Sequence, residues 1–253
     1  MERAPDDGYE NWLVHGLRSS VDAARLADEL AFSEARLTEL REDPPGLYAD
    51  VALAADRDEA AWLAFQIAVI APARGEHDPW APLEGQRTTW ASGEVPDEHA
   101  DALAAYRGWT ERHGGQIPAL TGEPEWDPVR RFGRTFERLA VRGLDRSPRF
   151  DFLVTLGALG VVALEAGSLA VASSTPTDPV VLAAKRITGI GDALTIERRL
   201  AELARATGVP IGALDLALHN WAQPTEERAS MGARRGPDPG RLAAIRGALG
   251  LEN

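Results

Sequence analysis

The chain has 253 residues and no cysteine, and its 39 acidic and 27 basic side chains give a formal net charge of -12. This length allows a large core in one or two domains, while the missing thiols exclude disulfides and thiolate zinc sites. No apolar run is as long as a membrane span and no signal peptide opens the chain, so we expect a cytoplasmic protein without a membrane partner. The net charge argues against a non-specific nucleic-acid binder.

Abundant alanine and leucine, with little alternation of valine and isoleucine, predict an all-α protein. Residues 1–9 are polar and are expected to be loose. Helices are predicted at residues 12–40, 47–56 and 58–70, and the last of these is apolar nearly all round, as a buried helix is. Gln66 lies in its middle. A buried amide needs partners, so Gln66 either bonds a neighbouring backbone or is a polar group at the floor of a pocket or in a DNA gap.

Residues 73–128 are the least regular stretch and are rich in proline and tryptophan. A segment of this length predicts an insertion or a lid, with one helix at residues 100–113. Two helices follow at 127–139 and 150–159, the second capped by Ser147 and Pro148. Residues 130–149 hold seven arginines against two acids. Such a basic face is either solvated or a contact for a phosphate backbone.

A helix, a tight hairpin and a second helix are predicted over residues 178–206. Asp178 and Pro179 are residue types that begin a helix, Gly189 and Gly191 end it, and Asp192 is placed to cap the next helix. The apolar residues expected to point inward are Val180, Leu182, Ala183, Ala184 and Ile187 in the first helix and Leu194, Ile196, Leu200 and Leu203 in the second.

This hairpin is the best candidate for a binding site. Glycines let a backbone come close to a phosphate, and the free amides and dipole at the start of a helix bind an anion. Lys185, the only lysine in the chain, stands just before the glycines. The residues expected to contact DNA are Lys185, Arg186, Thr188, Gly189, Gly191 and Arg198.

A further helix is predicted at residues 211–221, and a final one at residues 241–249. Asp215 interrupts the apolar run of the first, and His219 lies four residues on, on the same helix face. Apolar surroundings desolvate a carboxylate and are common around functional ones, so this aspartate is a second candidate for function.

The hairpin and Asp215 together resemble features of known protein families. The hairpin with its preceding apolar helix, followed about two dozen residues later by Asp215, resembles the helix-hairpin-helix DNA glycosylase superfamily, which has the endonuclease III-like fold. Residues 150–221 are similar to the alpha-glutamyl/putrescinyl thymine pyrophosphorylase group, which is associated with hypermodified bases in phage DNA. The similar segments include Ala183-Ala-Lys-Arg186, Gly189-Ile-Gly-Asp192, Ile196-Glu-Arg-Arg199 and the run from 213 to 221.

The resemblance implies a two-lobed helical fold spanning residues 1–253, in which the hairpin grips double-stranded DNA and the target base is flipped out. One carboxylate would then stabilise the sugar cation as the base leaves. Superfamily spacing favours Asp215, with Asp192 and Glu197 as alternatives, although Asp192 is also explained as a plain helix cap. The residues expected to line the base pocket are Gln66, His219 and Asn220.

Three functional hypotheses follow. The first is a DNA glycosylase in anti-phage defence that excises a hypermodified pyrimidine, such as glucosylated hydroxymethylcytosine, from phage DNA. We expect it to be monofunctional, because no lysine follows the hairpin glycines to form the Schiff base that a lyase step needs. The second is a transferase that displaces pyrophosphate from an activated thymine and joins an amine to it. The third is a non-catalytic DNA-binding module. No cofactor or metal is indicated, and the pattern leaves the oligomeric state open.

Overall fold

The computed structural model describes residues 4–70, 80–95, 99–224 and 227–251, and every regular element in these ranges is helical. The predicted all-α class is therefore confirmed. None of these helices is long and apolar enough to cross a membrane. Besides a short 3-10 turn at Val171–Ser173, the helices are α1 Ser20–Glu42, α2 Leu47–Leu53, α3 Arg57–Ile70, α4 Ala81–Glu84, α5 Ala100–Arg112, α6 Gln116–Thr121, α7 Pro128–Arg138, α8 Arg146–Ala158, α9 Pro179–Thr188, α10 Ala193–Thr207, α11 Ile211–Ala222 and α12 Pro239–Ala248.

The N-terminal segment differs from the prediction. Helix α1 begins at Ser20 and not at residue 12, because residues 11–17 form consecutive tight turns. The Asn11 side chain accepts a hydrogen bond from the amide of Leu13 at 2.8 Å. The expectation of a loose start is also wrong for residues 6–9, since the Asp7 carboxylate accepts the Ser20 amide at 3.0 Å and the Tyr9 hydroxyl donates to the Leu249 carbonyl at 2.6 Å.

One compact unit consists of Met1–Thr38, Ser168–Ala229 and Arg235–Asn253, as far as these ranges are described. Helices α9, α10 and α11 pack against one another, and α12 packs against α10. Four acidic residues along α1 pair with arginines from three later segments, which are α9, the stretch after α11, and α12. The pairs are Asp22 with Arg186 at 2.6 Å, Asp28 with Arg246 at 2.9 Å, Glu29 with Arg228 at 2.9 Å and Glu34 with Arg241 at 2.6 Å. These four carboxylates of α1 therefore have basic partners inside this unit.

The other unit consists of Glu39–Gly167 and Ser230–Arg234, again within the described ranges. Its centre is α3, whose residues from Ala60 to Ile70 are all buried, as the sequence predicts. The helix packs against α2, α6 and α8, and the Phe65 ring stacks on Tyr106 with 3.9 Å between ring centroids. Because Tyr106 belongs to α5, at least one helix of the irregular stretch is part of this core.

The prediction of an insertion or lid at 73–128 stays a prediction, since residues 73–79 and 96–98 lie outside the described ranges. Helix α8 shows a local difference. It begins at Arg146 after the cap residue Asp145, so Ser147 and Pro148 lie in its first turn instead of capping it. Proline is tolerated there because the first amides of a helix have no intrahelical acceptor.

Candidate functional site

The hairpin between α9 and α10 is formed by local signals. The Asp178 carboxylate accepts the Val180 amide at 2.8 Å and so caps α9. Gly189 ends that helix in the left-handed conformation, with φ of 69°, which a residue without a side chain adopts at low cost. The Asp192 carboxylate accepts the Thr195 amide at 2.8 Å and caps α10. Both caps lie where the sequence predicts them.

Two leucines of this hairpin unit face away from the predicted side. Leu182 is 51 % exposed and Leu194 is 80 % exposed. The buried face of α9 is instead centred on Val180, Ala183 and Ile187. Leu182 lies two positions after Val180 and therefore on the opposite side of the helix. Leu194 lies two positions before Ile196 in the first turn of α10, and so on the side of the helix away from that buried residue.

The start of α10 presents unpaired donors. Within the described part of the chain, the backbone amides of residues 190–194 have no hydrogen-bond acceptor, whereas the Thr195 amide is bonded to Asp192. A Cβ added at Gly191 would meet no atom within 4 Å, so this backbone is open to an approaching group. Free amides at the positive end of a helix dipole can bind an anion such as a phosphate.

A pocket of about 600 Å³ lies beside these amides. One wall is the hairpin itself, with Lys185, Arg186 and residues 189–191, and the opposite wall comes from the N-terminal segment. That second wall contributes Asp6, Gly16, Arg18, Ser19 and Asp22. The pocket therefore combines cationic and anionic side chains, and all of them belong to the same compact unit.

The N-terminal segment is held on the hairpin at Gly16. The Gly16 amide donates to the Ile187 carbonyl at 2.9 Å. A Cβ at this position would lie 1.9 Å from the Arg186 carbonyl oxygen and 2.6 Å from the Gly189 nitrogen, so only glycine permits this approach. No pattern in the sequence predicts a site role for Asp6, Gly16, Arg18 or Asp22. The only local signal was a glycine inside a stretch predicted to be helical, which marks a close backbone approach or a break.

The predicted DNA-contact residues fall into two groups. Arg186 and Thr188 are engaged internally: the Arg186 guanidinium pairs with Asp22 at 2.6 Å and lies 4.9 Å from the Trp221 ring centroid, while the buried Thr188 hydroxyl donates to the Ala184 carbonyl at 2.8 Å. Lys185 is half-buried and Arg198 is exposed, and neither forms a hydrogen bond or ion pair with a residue in the described ranges. Lys185 is therefore the lysine or arginine of α9 that is available to a ligand.

Two of the three candidate carboxylates, Asp192 and Glu197, accept hydrogen bonds from backbone amides in the hairpin unit. Hydrogen bonds from Thr195 hold the pKa of the exposed Asp192 carboxyl below its usual value. Glu197 accepts the amides of Leu169 at 3.0 Å and Val171 at 2.6 Å, and so anchors the 3-10 turn to α10. Both side chains thus accept backbone amides that would otherwise lack partners.

The third candidate carboxylate, Asp215, lies on the buried part of α11, which packs against α9. Asp215 is 1 % exposed and His219 is 8 % exposed. The neighbouring Asn220 amide is hydrogen-bonded to Ala229: it donates to the Ala229 carbonyl at 3.1 Å and accepts from the Ala229 amide at 2.9 Å. The hairpin, Asp215, His219 and Asn220 all belong to one unit.

Gln66 belongs to the other unit. Its amide nitrogen donates to the Thr88 carbonyl at 3.0 Å, and its oxygen accepts the Thr88 amide at 2.9 Å. Both ends of the side chain are therefore satisfied by a neighbouring backbone, which is the structural alternative considered from the sequence.

The arginine-rich stretch exposes fewer charges than its sequence indicates. Arg131, Arg146 and Arg149 are buried. Arg131 donates to the carbonyls of Thr121, Ala163 and Trp126 at distances from 2.7 to 2.9 Å. The arginines that remain exposed are Arg130, Arg134, Arg138 and Arg142.

The fold and the hairpin together define an all-helical protein with two helices joined by a glycine turn, and residues 189–191 of that turn line a pocket. Residues 85–229 match the family model described as alpha-glutamyl/putrescinyl thymine pyrophosphorylase clade 3. The match covers more than half of the chain and includes both the hairpin and Asp215, so the chain belongs to this family. No curated protein and no solved structure matches it. The narrower of the two sequence resemblances is confirmed, and the description of the family is that of an enzyme.

Proposed function

We propose that this protein is an enzyme that acts on a hypermodified pyrimidine in double-stranded phage DNA and that it holds the DNA backbone at the hairpin. The observation that carries the proposal is the group of unpaired amides at residues 190–194 beside Lys185. Such amides and a neighbouring cation bind the phosphate groups of DNA whatever the base sequence is. The family description, which names a modified thymine, supports the choice of base.

The first candidate reaction is that of a monofunctional DNA glycosylase in anti-phage defence, as the broader resemblance implies. The bond between C1′ and the base breaks, and water adds to C1′ to give an abasic site. The proton that the water loses balances the proton that the departing base takes up. Asp215 is our candidate for the carboxylate that stabilises the sugar cation. Its burial supports this role, because a charge that is poorly screened by water interacts strongly with a developing cation.

His219, one helical turn from Asp215, is the candidate to orient that carboxylate, and Asn220 lies next to it in the chain. Asp192 and Glu197 rank below Asp215, since both already accept backbone amides. The flipped base reaches Asp215 only after the side chains that cover it move aside, so the proposal includes a local opening when DNA binds.

The second candidate reaction is favoured by the family description itself, which names a pyrophosphorylase. An amine attacks the activated carbon on the thymine, a carbon–nitrogen bond forms, and the bond to the pyrophosphate leaving group breaks as the amine loses a proton. The hairpin amides and Lys185 suit this reaction too, because a departing pyrophosphate is an anion of the kind that such a site binds.

One experiment separates the two reactions. Purified protein is incubated with phage DNA that carries glucosylated hydroxymethylcytosine and with unmodified DNA, and abasic sites are measured with an aldehyde-reactive probe. In parallel, DNA with pyrophosphorylated hydroxymethyluracil is incubated with putrescine or glutamate, and released pyrophosphate is measured. Abasic sites in the modified DNA alone support the glycosylase, and amine-dependent pyrophosphate release supports the transferase. If neither product forms from any of these substrates, both candidate reactions are contradicted.

Asp215→Asn tests the carboxylate assigned in the glycosylase reaction. It should reduce product formation by about 100-fold or more, because the amide removes the charge while keeping the shape. Asp238→Asn is a matched control: Asp238 caps α12, and asparagine caps helices as well as aspartate does. Full activity of Asp215→Asn would exclude Asp215 from the chemistry.

A further inference from the structure

An exposed tryptophan stands beside the hairpin pocket. Trp12 is 57 % exposed and lines a second pocket of about 290 Å³ with Glu10, Asn11, His15 and Arg18. Arg18 also lines the larger hairpin pocket, so the two pockets share a wall. A single exposed aromatic side chain needs no explanation by itself. Here, however, the indole and an imidazole share a pocket that adjoins the anion site.

The segment that carries Trp12 is rigidly held. Leu13, Val14 and Leu17 are buried beneath it, and the amide of Gly16 bonds to the hairpin at Ile187. On the other side, the hydroxyl of Tyr9 donates to the carbonyl of Leu249. The indole is therefore presented outward by a fixed backbone, so little conformational entropy is lost when a ligand binds to it.

The charges of the smaller pocket indicate what it would accept. The Glu10 carboxylate pairs with Arg18 at 2.5 Å, and both side chains are largely exposed. A carboxylate in the wall repels phosphate but accepts hydrogen bonds from an exocyclic amino group of a base. The flat faces of Trp12 and His15 suit an aromatic ring. The smaller pocket thus fits an uncharged, planar group. The adjoining pocket fits an anion, because its three cationic side chains outnumber its two carboxylates.

We propose that the Trp12 pocket binds an unstacked nucleobase of the DNA whose phosphate occupies the neighbouring hairpin site. This inference rests on the proposed function, because it takes the anion at the hairpin to be a DNA phosphate. Base and phosphate of a nucleotide strand would then lie on either side of Arg18. Trp12 lies outside the family match at residues 85–229, so the family description assigns it no role.

The test measures binding of the full-length protein to a fluorescently labelled duplex with one central unpaired base, and to the fully paired duplex, by fluorescence anisotropy over a range of salt concentrations. Trp12→Ala should weaken binding to the unpaired-base duplex by about tenfold, which is the usual effect of removing one stacking side chain. The slope of affinity against salt should not change, since no charge is removed. Trp12→Phe should retain most of the affinity.

Two further variants separate the possible failures. Leu53→Ala is the matched control, because Leu53 is an 82 % exposed apolar residue of the other unit, and it should bind like the parent. Lys185→Gln should reduce the salt slope by about one unit if the hairpin holds a phosphate. Parent-like binding by Trp12→Ala together with the expected loss in Lys185→Gln would overturn the Trp12 assignment alone. Absence of DNA binding by the parent would overturn the proposed function and this inference together.

Discussion

Replacing Gly16 with alanine should disturb both the stability of the protein and the hairpin. The added Cβ would lie 1.9 Å from the Arg186 carbonyl oxygen, 2.6 Å from the Gly189 nitrogen and 2.9 Å from the Arg186 carbonyl carbon. All three atoms are backbone, so no side chain can rotate away. Restoring an ordinary contact requires the two segments to separate by about 1.5 Å, which also breaks the hydrogen bond from Gly16 to Ile187.

The expected cost follows from these contacts. Overpacking in a well-packed region costs about 1–3 kcal/mol, and the lost hydrogen bond adds about 1 kcal/mol. For a chain of this size, a loss of about 3 kcal/mol lowers Tm by roughly 6–12 °C. Thermal unfolding followed by circular dichroism measures the shift, and the DNA-binding isotherm of the same variant reports on the hairpin.

Gly133→Ala provides the control for this substitution. Gly133 lies inside α7 at an exposed position, and its added Cβ would meet no atom within 4 Å. Alanine is the better helix former by about 1 kcal/mol, so this variant should be as stable as the parent or more so. If Gly16→Ala unfolds at the same temperature as the parent, the close approach of the N-terminal segment to the hairpin is not a feature of the protein in solution.

Three other predictions concern residues that the structure places in buried or paired positions. Asp22→Asn breaks the ion pair with the mostly buried Arg186 and should lower the free energy of unfolding, measured in urea, by about 2 kcal/mol. Asp50→Asn, in the exposed pair with Arg87, should lower it by less than about 1 kcal/mol. Equal effects of the two variants would contradict the difference in burial between the two pairs. Burial raises the pKa of the Glu29 carboxyl although Arg228 opposes the shift. The folded state therefore holds this proton more tightly than the unfolded chain, so stability should fall as pH rises from the usual carboxyl pKa of 4.5 through the raised pKa. Glu29→Gln should flatten that part of the pH profile, and an unchanged profile would exclude Glu29 as its source. Arg131→Ala leaves three carbonyls without their donor and should lower the free energy of unfolding by about 3 kcal/mol. Replacing the exposed Arg130 with alanine should change it by no more than about 0.5 kcal/mol. A similar Tm for both variants would rule out the buried role of Arg131.

The sequence alone determined the features that depend on local interactions. The buried helix α3, the caps at Asp178 and Asp192, and the glycine turn between them follow from residue types within a few positions of one another. Capping and helical periodicity act over one or two turns, so they can be read without knowing the tertiary structure. For the same reason, Lys185 and the hairpin glycines could be singled out as a candidate anion site.

Only the tertiary structure decided what surrounds that site. The contact of Gly16 with Ile187, the pairing of Asp22 with Arg186 and the wall that Arg18 shares between two pockets join residues far apart in the chain. Whether an arginine is buried was decided in the same way: Arg131 finds three carbonyl acceptors inside the fold, while Arg130 beside it stays in solvent. Partners for buried polar groups come from wherever the packing brings a donor or acceptor, and no pattern within a single helix specifies them.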